Sequence, residues 1–134
     1  MTETHNGPVL GSPGFWLGTL LALAFIVVGT RTVLDPAATA AGWGMPVTGT
    51  VDAAFVQVYG VRNAALGLIT LLFALSRMVR AMALLISVGI FIPAVDLWIA
   101  HKTAGFGPHL ISHAVIMSVL LVVAILLWGR VAKK

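Results

Sequence analysis

The chain has 134 residues, of which 60% are hydrophobic and only 9% charged, a balance outside the range of ordinary water-soluble domains. It has no cysteine, which excludes disulfide scaffolds, thiolate nucleophiles and cysteine-ligated zinc. The formal net charge of +4 is no nucleic-acid signature, because the basic residues fall at helix ends and form no stripe on a polar face.

A helix needs about 20 mostly apolar residues to cross about 30 Å of hydrocarbon. After a short polar tail over residues 1–13, four segments meet that requirement: 14–34, 54–75, 81–100 and 109–128. The first has no basic region ahead of it and is longer than a signal-peptide core, so it reads as a retained helix. A Gly, Ala and Thr-rich loop over 35–52 follows, then a tight basic turn at 76–80 and a short link at 101–108. Residues 129–134 form a basic tail. The expected fold is an all-α, integral membrane four-helix bundle with no room for a separate soluble domain.

Lysine and arginine accumulate in short cytoplasmic loops. With four crossings, Arg77, Arg80, Arg130, Lys133 and Lys134 share one side, while the other holds Arg31 and Lys102 beside Asp35 and Asp52. Both termini are therefore expected in the cytoplasm. The localisation read from this pattern is a plasma membrane, taken as the bacterial inner membrane.

Small residues let helix backbones approach closely in lipid. Gly14 with Gly18, and Gly60, Ala64 and Gly67 in a row, are expected packing surfaces, and Trp16, Trp98 and Trp128 are expected interfacial anchors.

Ionisable groups inside a span are the informative ones, since a charge near the bilayer centre costs at least about 2.5–3.5 kcal/mol unless paired, hydrated or used. Arg62 lies about eight residues, or roughly 12 Å, inside the second segment. Tyr59, Arg62 and Asn63 stand at i, i+3 and i+4, on one face or its edge. Asp96 follows Pro93, whose missing N–H can open a kink. His109 and His113 share a face at the start of the fourth helix.

Threading the helices up and down puts all of these groups in the half of the bilayer away from the termini, so a polar pocket opening to the outer leaflet is expected. A structural reading has Arg62 and Asp96 as a buried ion pair that fixes helix register. A functional reading has Tyr59, Arg62, Asn63 and His109 binding a ligand, with Arg62 holding an anionic or carbonyl group, while Asp96 and His113 exchange protons. His109 and His113 have metal-ligand spacing, but the glutamate of a zincin helix and a third ligand are both missing, so neither a metal nor another cofactor is expected.

The stretch GTRTVLDP (29–36), the run YGVRNAALGL (59–68), the run IPAVDLWI (92–99) and the histidines downstream resemble, in order and spacing, the domain of unknown function 4267 family, within the wider group of DoxX-like four-helix membrane proteins. The resemblance covers nearly the whole chain after Pro13. It implies a four-helix membrane fold, with Arg62, Asp96 and His113 as characteristic polar positions, and it implies no established activity.

Two functions of different class follow as expectations. One is a small binding or accessory subunit of the membrane. The other is a membrane-embedded acid/base enzyme, an isomerase, hydratase or cyclase acting on a lipophilic small molecule. A proton-coupled exchanger is disfavoured, because alternating access needs polar groups that serve both sides. The partners weighed are the lipid bilayer, a lipophilic small molecule and a second copy of the chain; nucleic acid is excluded. Cysteine-labelling or reporter fusions at the two ends should place both inside the cell, and an externally accessible C-terminus would overturn the orientation.

Overall fold

The computed structural model describes residues 9–132, so the expected tail up to residue 8, together with Lys133 and Lys134, lies outside the described residues. A 3-10 turn at Val9–Gly11 leads into six helices: α1 (Pro13–Leu34), α2 (Pro36–Gly42), α3 (Thr50–Leu75), α4 (Val79–Gly89), α5 (Phe91–Ala104) and α6 (His109–Val131). There is no strand among the described residues. Four helical stretches are long and apolar enough to cross a membrane: α1, α3, α4 with α5, and α6.

The helix limits follow from local chemistry. Pro13 stands at the first position of α1, where its missing N–H costs nothing. The same logic runs through Asp35–Pro36. The residue before a proline is pushed out of helical geometry, so α1 ends there, and the Asp35 N–H closes it by donating to the Arg31 carbonyl at 2.8 Å. Its side chain then caps the next helix, Oδ1 accepting from the Ala38 N–H at 3.0 Å. This dipeptide turns the first part of the expected 35–52 loop into α2.

Helix α3 starts at Thr50, four residues before the expected limit, with Asp52 in its first turn accepting from the Thr48 hydroxyl at 2.6 Å. At 1.5 Å per residue its 26 residues reach about 39 Å, more than the hydrocarbon needs, so its first turns extend beside α2. The third span runs from Val79 to Ala104, longer than the expected 81–100, and is broken at Ile90 between α4 and α5. Pro93 supplies the cause, having no N–H for the Gly89 carbonyl and a ring that crowds it. Arg77, at a φ of 55°, makes the tight reversal from α3 into α4.

Alternate spans run antiparallel. At the end that holds the two termini and the α3–α4 turn, Phe15, Ala74, Val79, Met82, Ala83, Ile86, Leu120, Val123, Ala124 and Leu127 form one continuous core. Met82 and Leu127 are fully enclosed. The outer surface is a belt of exposed Leu, Val, Ile and Phe side chains, which suits a lipid solvent.

Helix α1 meets three neighbours through its glycines. Gly14 meets the Leu126 backbone on α6, and Gly18 meets Met82 on α4. Further along, Gly29 lies against Gly60 and Ala64, and α1 packs against α3 over most of its length. A methyl group added at Gly60 would stand 2.7 Å from the Gly29 carbonyl oxygen, and one at Gly67 would stand 2.6 Å from that of Ala22. Both opposing atoms are backbone, so no side-chain movement relieves the clash. Gly60→Val should accordingly cost about 3 kcal/mol, the upper end of the usual overpacking range, and lower the melting temperature in detergent. Gly129→Ala, where added bulk meets open space, should not destabilise. Equal melting temperatures for Gly60→Val and wild type would show that the α1–α3 contact is looser than described.

Candidate functional site

At the end away from the termini the four spans do not close on one another. Helix α3 leans on α1, and α5 leans on α6, while α3 and α5 have little direct contact. Between them lies a cavity of about 230 Å³. Its deeper walls are apolar, including Phe25, Leu66, Ile86 and Leu120, and its polar side chains gather towards the loop end.

The polar groups make a connected set. The Tyr59 hydroxyl donates to Asp96 Oδ2 at 2.9 Å, joining α3 to α5 across the gap. Asn63, one turn further along α3, is buried, lines the same cavity and lies beside the Tyr59 hydroxyl. His113 reaches in from α6 with only 5% of its surface exposed, and its Nε2 is buried without any hydrogen-bond partner. Asp96 and His113 line the same cavity. A buried polar atom left unpaired costs about 1–3 kcal/mol.

Trp43, from the loop after α2, covers this end of the cavity. Its ring stands edge-on to Tyr59, with centroids 4.8 Å apart and planes at 71°, and lies 6.4 Å from the His113 ring. The sequence reading missed it, having looked for tryptophans at span ends. The available signal was one large aromatic in a run of small residues, AAGWG. Ser112 and Thr70 also line the cavity, but their hydroxyls donate to their own helices, at the carbonyls of His109 and Leu66.

Two of the sequence candidates stand elsewhere. His109 lies outside the cavity lining and packs on Gly44 and Gly107, its Nε2 also buried without a partner. Arg62 is exposed, is absent from the lining and forms no ion pair with Asp96 among the described residues. The expected register-fixing pair is therefore corrected: Asp96 takes its hydrogen bond from Tyr59. The reason is rotational. A helix turns about 100° per residue, so burying Asn63 and facing Gly60 to α1 swings Arg62 outwards. It lies twelve residues, about 18 Å, from the start of α3, whose first turns extend beside α2. Gln57, nearer the loop end, donates to the Val33 carbonyl at 3.0 Å and ties α3 to α1. Among the described residues no group of three or more His, Asp or Glu side chains is arranged to hold a metal ion.

Four apolar spans around a polar-headed cavity define a small multi-pass helical membrane protein. The chain belongs to the family described as Domain of unknown function (DUF4267), whose profile matches residues 22–128 and so takes in Tyr59, Asp96 and His113. The wider DoxX-like group stays an expectation of the sequence. No curated protein and no solved structure matches the chain.

The geometry separates two kinds of coupling. Tyr59→Phe and Asp96→Ala should be strongly non-additive in detergent stability, because each removes the same hydrogen bond. Arg62→Leu should not lower stability, and its effect should add independently to that of Asp96→Asn. A coupling energy above about 1 kcal/mol between Arg62 and Asp96 would restore the ion pair.

Proposed function

We propose that this is a small membrane-embedded binding protein whose cavity holds a lipophilic small molecule, with the polar end at Asp96, Tyr59, Asn63 and His113 and the apolar part between the spans. The observation that carries the reading is the His113 Nε2, buried, unpartnered and set in the cavity wall. The division of the cavity into a polar head and an apolar body supports the same conclusion, since ligand sites are mostly apolar with a few convergent polar groups. The charge distribution of the loops supports an orientation in which this polar end faces the outer leaflet.

A second reading draws on one specific feature: Asp96 and His113, both able to carry a proton, border the same cavity. In that case the protein is an acid/base enzyme acting on the bound molecule, with these two residues as proton carriers.

Mass spectrometry of lipophilic extracts from purified protein tests the binding reading. Wild type and Arg62→Gln should carry a common compound that is depleted at least about tenfold in His113→Phe and in Asp96→Asn. Identical extracts from all four proteins would overturn it. Conversion of that compound into an isomer or hydrate by wild type, lost in Asp96→Asn, would favour the enzyme.

A further inference from the structure

The atoms at the head of the cavity narrow the class of ligand. Asp96 spends Oδ2 on Tyr59 and has no hydrogen bond at Oδ1 among the described residues. His113 offers Nε2, which has no partner. No arginine or lysine lines the cavity, since Arg62 is turned outwards and Arg31 stands exposed near the end of α1. The volume of about 230 Å³ is below the roughly 300–1,000 Å³ usual for drug-sized ligands, which suits a small molecule with a single short tail.

Resting on the ligand site proposed above, we propose that the cavity selects a neutral amphiphile with a hydroxyl head, an alcohol or phenol bearing a single apolar tail, and rejects carboxylates and phosphates. A hydroxyl donates one hydrogen bond and accepts others. It can therefore donate to Asp96 Oδ1 while accepting from the His113 Nε2–H when that ring carries its proton on Nε2. A carboxylate only accepts, so it offers nothing to Asp96 Oδ1, and no cationic side chain in the lining offsets its charge. An ammonium only donates, so a protonated Nε2 would stay unsatisfied, and the ammonium would lose its hydration on entering an apolar cavity. Trp43, seated over Tyr59 and beside His113, covers the head group and keeps water from competing for it.

The test uses the full chain in nanodiscs and three probes of equal length, 1-decanol, decanoate and decylamine. Tryptophan fluorescence is read against Trp43→Phe, which removes the contribution of simple partitioning into lipid. Decanol should give a saturable change in wild type at a concentration at least about tenfold lower than either charged probe. Asp96→Asn should narrow the gap between decanol and decanoate several-fold. Decanoate or decylamine matching decanol in wild type would overturn the hydroxyl selection and leave the binding site standing. No saturable response to any probe would overturn the site itself, and this inference with it.

Discussion

The backbone contact between α1 and α3 is the constraint from which the rest follows. In a bilayer the hydrocarbon around a helix is as apolar as its neighbour, so close packing between spans, and not the hydrophobic effect, holds them together. Here Gly29, Gly60 and Gly67 bring two backbones to a distance that no side chain could share. That contact fixes the rotation of α3. Gly60 must face α1, Asn63 and Tyr59 then face the space beside it, and Arg62 is turned to the outside. It also commits α3 to α1 and leaves α5 to α6, so the gap between the two pairs is a consequence of how tightly one pair closes. The hydrogen bond from Tyr59 to Asp96 spans this gap.

The two ends of the bundle use the same spans in different ways. Near the termini, Met82 and Leu127 are enclosed in a core drawn from α1, α3, α4 and α6. Towards the other end the third span breaks at Ile90, and α5 continues with Pro93 and Asp96 set against the cavity. A straight helix would have no break to absorb the missing Pro93 hydrogen bond. Order at one end and open space at the other is an arrangement that keeps a polar group inside the membrane without collapsing the fold around it.

Much of this architecture was legible in the sequence. The four apolar runs report directly on hydrocarbon thickness, and each has become a membrane-length helical stretch. Other features were present but misread. Asp35–Pro36 is both a stop and a start signal, yet the Gly and Ala-rich stretch behind it suggested only a loop. Tyr59, Arg62 and Asn63 fit one helical arc, and spacing alone does not say which edge of that arc faces inwards. The glycines at 60 and 67 do say so, once they are taken as the α1-facing stripe. Arg62 then lies about 200° from Gly60, and its placement among the ligand-binding candidates gives way to an exposed position. Trp43 belongs to a third category. Its place over Tyr59 and His113 depends on how a loop folds back, and no periodicity encodes that.

The gap between α3 and α5, and what fills it when the protein sits in lipid, decide how the cavity works. A structure determined in nanodiscs measures this most directly. The account predicts Gly29 and Gly60 in backbone contact, α3 held apart from α5, and additional density between Asp96, Tyr59 and His113 beneath Trp43. Helices α3 and α5 packed against each other, with the His113 Nε2 hydrogen-bonded to the protein and no space at its side, would contradict it.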